Sequence, residues 1–289
     1  MMATPLDVDL SSSIAVVTGA TGGIGKEIAR ALAGMGATVV IGARSPDRGE
    51  SARAEIGAGA AGPVSVMRLD VADQSSIREF AAAFAKRFGE LHVLVNNAGA
   101  WFTDRRESPD GLELTFATNV LGPHLLTELL VDPLRTPARS RVVNVVSSIQ
   151  GNYDATDLQF TRRRYDGSKA YGQSKQALSM LTWGLATRLG GTGVTANTAA
   201  PGFVKTDFNQ NAHGFRATMI NLSVRLFGVS SEKGADTPVW VAAAPELDGV
   251  TGKYFAGRKE QEAKTRDLGP IVDLERKCQQ LEQGAAQRG

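Results

Sequence analysis

An apolar run, Ile14-Ala15-Val16-Val17, leads directly into Thr18-Gly19-Ala20-Thr21-Gly22-Gly23-Ile24-Gly25. Beyond it, Ile24, Ile28, Ala31, Leu32 and Met35 recur at helical spacing. A buried strand, a glycine turn and a helix in that order build a cradle for a dinucleotide pyrophosphate. Glycine lets the backbone turn sharply and approach the phosphates, and the helix N-terminus offers free N–H groups and a partial positive charge. The spacing is G-x-x-x-G-x-G on Gly19, Gly23 and Gly25, rather than the commoner G-x-G-x-x-G. Thr21, Gly22 and Ile24 complete the predicted contact surface.

The same alternation continues along the chain. Strands are predicted at Ile14–Thr18, Thr38–Gly42, Val64–Leu69, Leu91–Asn96, Arg141–Ser147 and Val194–Ala199, with a short last strand at Gly252–Phe255. Helices are predicted near 23–35, 47–57, 74–88, 111–130 and 169–189. The strands show little polar alternation, as expected when helices cover both faces of a sheet. The fold class is therefore α/β: a Rossmann-type, doubly wound parallel sheet of about seven strands with right-handed crossovers. Nothing divides residues 1–289, so a single domain is expected, with a core over 12–256. Three long connections, 100–110, 150–168 and 203–232, should gather beyond the carboxyl ends of the strands, the last as a substrate lid. The charged tail 257–289 carries a weak stripe of Leu274, Cys278 and Leu281, which suits a packing helix.

Composition narrows the function. At 42% apolar residues, a net charge of +2 and 21% charged residues, the chain can bury one large core and presents no field that would attract nucleic acid. Its single cysteine, Cys278, excludes an internal disulfide and fits a reducing, cytoplasmic setting. Three scattered histidines, His92, His124 and His213, argue against a structural zinc site, and no metal is expected. No apolar run is long enough to span a membrane, and no secretory signal is expected. The cluster Arg162-Arg163-Arg164 reads as a solvated or ion-paired loop.

Polar positions fall where such a sheet would bind a ligand. Asn96-Asn97-Ala98-Gly99 closes the fourth strand; Asn97 can bond backbone there, and small Ala98 and Gly99 let a cofactor ring approach. Ser147-Ser148 closes the fifth strand, and only one of two neighbouring serines should face the site. Tyr171 and Lys175 stand four apart on one helical face. Carbonyl reduction needs a hydride on carbon and a proton on oxygen, and a phenol of pKa ~10 is a poor acid–base group at neutral pH until a nearby cation, here Lys175, stabilises its phenolate. Tyr165 and Lys169 share the same spacing, but Tyr171 opens a cleaner helix, continued by Ala177, Leu178, Leu181 and Leu185.

With these residues in order, the chain resembles the short-chain dehydrogenase/reductase family over 12–256. TGATGGIG at 18–25, LDV at 69–71, NNAG at 96–99, Asn119 in FATNVLG, VVSSIQG at 145–151, YGQSK at 171–175 and PGFVKT at 201–206 carry the resemblance. It implies a catalytic tetrad of Asn119, Ser148, Tyr171 and Lys175. Ser148 is preferred because the family's serine lies three residues before a glycine, here Gly151. It further implies that Asn119 sits at a helix distortion, that Asp70 and Val71 contact adenine, and that Pro201, Gly202, Val204 and Thr206 hold the nicotinamide. Asp70 would also serve as a helix N-cap.

Cofactor choice turns on the end of the second strand. An acid there would bind both ribose hydroxyls of NAD, whereas this chain has Arg44-Ser45, which suits the 2′-phosphate of NADP(H). The insertion between serine and tyrosine, SPDGLELTFATNVLG at 108–122 and TGKYF at 251–255 make the chain similar to the retinol-dehydrogenase-like branch, but without a membrane anchor. The expected substrate is a lipophilic ketone, aldehyde or alcohol of polyketide, steroid or retinoid type, as in secondary metabolism. Ser148, Trp101, Phe102, Phe208 and Phe215 should meet it, and Tyr153 and Phe160 could wall the cavity. The resemblance implies pairing as a homodimer or homotetramer through the helices near 111–130 and 169–189. The competing readings are an NADP(H)-binding regulator without turnover and an epimerase or dehydratase on the same scaffold.

Overall fold

The structure, a computed structural model, describes residues 6–202, 230–263 and 267–286. Seven parallel strands and one antiparallel edge strand form a sheet in the order β3-β2-β1-β4-β5-β6-β7-β8. They are β1 Ile14–Thr18, β2 Thr38–Ala43, β3 Val64–Arg68, β4 Val93–Asn96, β5 Ser140–Val145, β6 Val194–Ala200, β7 Tyr254–Ala256 and β8 Lys259–Gln261. The order reverses between β1 and β4, which pair in parallel with Val16 opposite Leu94. A crevice opens at such a switch point beyond the strand carboxyl ends. The eighth strand, exposed along its length, pairs β7 through a tight turn; Lys259-Glu260-Gln261 carries no apolar pattern by which to foresee it.

Both faces of the sheet are covered. On one, α1 (Gly23–Gly34), α2 (Pro46–Gly57) and α8 (Ser231–Ala243) bury Ile28, Leu32, Ile56 and Val239 against Val17, Val39, Ile41 and Val95. On the other, α3 (Gln74–Phe88), α5 (Gly122–Leu129) and α7 (Gly167–Arg188) bury Phe80, Phe84, Leu126 and Leu185 against Val16, Val40, Leu94 and Val142. The short α6 (Val131–Arg135) follows α5. Burial of the strands on both sides is what removes their polar alternation. Caps fix the helix starts. Asp73 accepts from the Ser75 and Ser76 amides at α3, and Asp166 from Ser168 and Lys169 at α7. Asp70 is therefore not the α3 cap; its carboxylate accepts from the Ala72 amide one turn earlier.

The segment foreseen as one helix near 111–130 is interrupted. A single α turn, α4 (Leu114–Phe116), runs into a π turn over Ala117–Leu121 before α5 begins. The tail forms α9 (Leu268–Ala286), whose Ile271, Leu274 and Cys278 pack on Phe116, Val120, Ala177 and Leu181. Among the described residues no helix is long and apolar enough to cross a membrane.

Candidate active site

The turn after β1 is shaped by two glycines in the left-handed region, Gly19 at φ 67° and Gly23 at φ 55°. Gly25 is required for a different reason: a Cβ there would lie 2.3 Å from Asn97 Nδ2 and 2.4 Å from the Gly19 carbonyl oxygen. The α1 N-cap, Gly22, has no side chain to cap the helix, and no acid lies in its first turn, so its leading amides stay open for an anion. Thr18 locks this turn to β4. Its hydroxyl accepts from the Asn97 and Ala98 amides, each at 3.0 Å, while Asn97 Nδ2 donates to the Thr18 carbonyl at 2.9 Å. Asp70 and Val71 lie half-buried just past β3, and Gly122 of α5 packs tightly on the Val71 carbonyl. Arg44 is exposed past the end of β2, with no ion pair among the described residues; Ser45 caps α2.

The π turn has a purpose at the centre. It directs Asn119, fully buried, onto the chain after β4: its Oδ1 accepts from the Ala100 amide at 2.7 Å and its Nδ2 donates to the Ala100 carbonyl at 2.9 Å. Asn119 Nδ2 also reaches Ser174 Oγ at 2.9 Å, and that hydroxyl donates to the Tyr171 carbonyl. One amide thus ties the fourth strand's loop to the helix carrying Tyr171 and Lys175. Ser174 lies between the two without a sequence signal of its own; the bond it accepts from Asn119 is visible only in three dimensions.

Tyr171 is half-buried at the start of α7, and the Ser147 side chain hydrogen-bonds its hydroxyl. Burial raises the phenol to about 12, while the Ser147 bond pulls the other way. One turn on, Lys175 is buried, with its Nζ 5.9 Å from the Tyr171 ring centre and donating to the Val145 carbonyl at 2.9 Å. Burial lowers its pKa to about 8.

Ser147, not Ser148, is the serine that meets Tyr171. Strand β5 ends at Val145, and Ser147 Oγ then accepts from the Ile149 amide at 3.1 Å in a local turn. Gln150 Nε2 donates to the Ser147 carbonyl at 2.8 Å and fixes the same turn. Ser148 and Ile149 are thrown outward, Ile149 to 51% exposure. Counting back three residues from Gly151 misses this, because the turn sets the serine's direction and the glycine spacing does not. Ser148 instead borders a shallow pocket with Gln176, Ser179, Trp183 and Tyr254.

The other tyrosine has different partners. The Tyr165 hydroxyl lies 3.1 Å from Glu113 Oε1 and 3.2 Å from Thr115 Oγ1, and donates to the Phe102 carbonyl at 3.3 Å. Trp101 and Phe102 are 6% and 8% exposed, packed beneath the first turn of α7 where Gly167 leaves them room. Phe160 is buried edge-on to Tyr165, and Tyr153 packs toward α9. The insertion is organised around Asp157. Burial works against its charge, but the Thr161 and Arg163 amides and the Arg163 guanidinium hold its carboxyl down at about 2. Pro201 and Gly202 close β6; Val204, Thr206, Phe208 and Phe215, with the rest of the expected lid up to 229, lie outside the described residues.

Residues 13–216 match the short chain dehydrogenase family. The chain belongs to that family. Mouse retinol dehydrogenase 12 is 40% identical over 266 residues, which cover 90% of this chain and 82% of the relative. Among solved structures, an uncharacterized protein of Mycobacterium paratuberculosis superposes with a TM-score of 0.77 at 30% identity, covering 96% of this chain and 95% of the other. An NAD(P)-dependent gluconate 5-dehydrogenase of Beutenbergia cavernae, solved with NADP at low occupancy, gives a TM-score of 0.71 at 25% identity, covering 87% and 97%. As a short-chain dehydrogenase, the protein is an oxidoreductase of the class that uses a nicotinamide cofactor to interconvert carbonyls and alcohols.

Two features of this short-chain dehydrogenase fit such a cofactor. The glycine turn leaves backbone and open amides where a Cβ at Gly25 would intrude. Lys175 buries an ammonium with a carbonyl acceptor and, among the described residues, no counter-charge, a group suited to sugar hydroxyls.

Proposed function

We propose that the protein is an NADPH-dependent carbonyl reductase acting on a lipophilic ketone or aldehyde, with Ser147, Tyr171, Lys175 and Asn119 as its working residues. The observation that carries this reading is the Ser147–Tyr171 hydroxyl pair at the carboxyl end of β5, with buried Lys175 one turn further along α7.

The cofactor, when bound, supplies the hydride. Gly19, Thr21, Gly22, Gly23, Ile24 and Gly25 would hold its pyrophosphate, with Asp70 and Val71 near adenine and Asn97, Ala98, Gly99, Pro201 and Gly202 toward the nicotinamide. Ser147 orients the substrate oxygen by donating to it, and Tyr171 delivers a proton there. A phenol near 12 is fully protonated at neutral pH. A developing alkoxide is about as basic as hydroxide, whose conjugate acid has pKa ~15.7. Proton transfer to it is therefore downhill by roughly 5 kcal/mol. Reduction needs no depressed phenol; the reverse oxidation does, and only a fully charged Lys175 beside a cationic nicotinamide would supply that. Asn119 acts at one remove, as a positioning residue.

NADP(H) is favoured over NAD(H) because Arg44 is exposed beside the Ser45 hydroxyl without a counter-ion among the described residues, and a guanidinium matches a phosphate dianion. The solved relative with bound NADP is consistent with this. The name of the mouse relative, retinol dehydrogenase, and the exposed Ile149 beside Ser147 support a lipophilic substrate. NADPH oxidation should be followed against retinal, a steroid ketone and an aromatic polyketone. Turnover should appear with at least one, fall at least a thousandfold in Tyr171→Phe, and lose its preference for NADPH in Arg44→Asp. Retained turnover in Tyr171→Phe, or equal use of NADH by the unaltered protein, would refute the respective half of the proposal.

A further inference from the structure

Where α9 docks on α7 and reaches α5, a cluster of unlike groups meets. His124 and Glu128 stand one helical turn apart on α5, and Glu275 approaches from α9; one ligand-type atom of each lies within 4.8 Å of the other two. Behind the imidazole, His124 Nδ1 lies 2.7 Å from Glu282 Oε1, and both side chains are buried. The opposite ring nitrogen, Nε2, is also buried, yet among the described residues it has no hydrogen-bond partner. The His124 side chain borders the same indentation as Glu128, Glu275 and Arg188. Three carboxylates thus surround one imidazole and one guanidinium. Arg188 makes a short contact to Glu128 and lies 3.5 Å from Glu275.

We propose that this cluster is a binding site for a divalent d-block cation, Zn2+ above all, held by His124 Nε2 and the carboxylates of Glu128 and Glu275. Glu282 fixes the tautomer: with Nδ1–H donating to that carboxylate, the Nε2 lone pair faces the two acids. A carboxylate behind a histidine ligand is the usual outer-shell arrangement of metal sites. One imidazole with two carboxylates suits zinc, whereas calcium and magnesium take oxygen ligands. Bonds of about 2.0–2.2 Å in a tetrahedron require ligand atoms about 3.3 Å apart, so the three side chains would close inward by rotation. The cation would take the place of Arg188, whose side chain is 38% exposed and can swing into solvent. Occupancy would clamp α9 onto α5. Sequence spacing could not reveal the set, because Glu275 and Glu282 reach His124 only through the docking of α9.

The test uses the full chain, stripped with a chelator and titrated calorimetrically with ZnCl2 alone, beside thermal unfolding with and without the metal. One saturable site per chain and a raised Tm are expected. His124→Gln and Glu275→Gln should each weaken binding at least tenfold, Arg188→Ala should tighten it severalfold, and Cys278→Ser should leave it unchanged. Absence of saturable binding up to millimolar zinc overturns the proposal, as does binding unaltered in His124→Gln or lost in Cys278→Ser. Should His124→Gln fail to fold, the visible spectrum of the Co2+-loaded protein decides instead. Four-coordinate bands that Glu128→Gln abolishes would support the site, and bands that survive it would refute it.

Discussion

Replacing Lys175 by methionine should make the cofactor-free protein more stable at pH 7 while abolishing turnover. The ammonium is 3% exposed, with the Val145 carbonyl as acceptor and, among the described residues, no carboxylate to offset its charge. Burial brings its pKa from the ordinary 10.5 to about 8, equivalent to about 3 kcal/mol against the charged form. Below pH 8 lysine is charged in both folded and unfolded chains, so the whole penalty is felt. Between pH 8 and 10.5 the unfolded chain holds the extra proton, and stability of the unaltered protein rises with pH. Above 10.5 the penalty has gone. Methionine has a similar stem and no charge, but leaves the Val145 carbonyl without its donor at a cost of about 1 kcal/mol. The variant should therefore be about 2 kcal/mol more stable at pH 7, with the difference closing and slightly reversing by pH 10.5. Urea unfolding of both proteins at the two pH values reads this directly, without substrate or cofactor. A methionine variant less stable at pH 7, or a difference that does not change with pH, would show that the buried charge is compensated by something other than the cofactor.

Ser147→Ala should lower kcat by about 10²–10³, as loss of one oxygen-orienting donor does, whereas Ser148→Ala should stay within twofold; the reverse order would return the role to Ser148. Tyr165→Phe loses a hydroxyl shared with Glu113, Thr115 and the Phe102 carbonyl, so its Tm should fall by an amount corresponding to about 1–2 kcal/mol while kcat stays within a few fold. In Gly25→Ala the new methyl meets Asn97 Nδ2 and the Gly19 carbonyl, and the KM for NADPH should rise at least tenfold with kcat less affected.

Much of this molecule could be read in advance because its strands are buried on both faces and its turns depend on particular residues. Ile14–Thr18 fell on its observed bounds, as did the helix at 74–88, which has a capping aspartate and a left-handed Gly89 at its end. The β1 turn and the shared face of Tyr171 and Lys175 follow from spacing alone, whereas the bond from Asn97 to the Thr18 carbonyl needs the β1–β4 pairing. Ser147 did not, since a hydroxyl–amide turn after a strand redirects side chains without a signature in the pattern. Trp101 and Phe102, expected at a ligand, instead lie beneath α7, because an aromatic pair after a strand reads alike whether it lines a cavity or fills one. The π turn was foreseen only as a distortion at Asn119, and its extent depends on the contacts of that amide with Ala100.

That π turn carries a constraint on chain length. It holds one more residue than the helical turn it replaces. Deleting one position from 117 to 121 would let the π turn close into an ordinary helical turn, which absorbs the loss before α5 begins. Leu125 and Leu126 would keep facing the sheet, but the amide that steadies Ala100 would point elsewhere. A shortened turn would thus spare the helix's packing and cut the tie between the loop after β4 and the helix carrying Tyr171, so this stretch must keep its residue count.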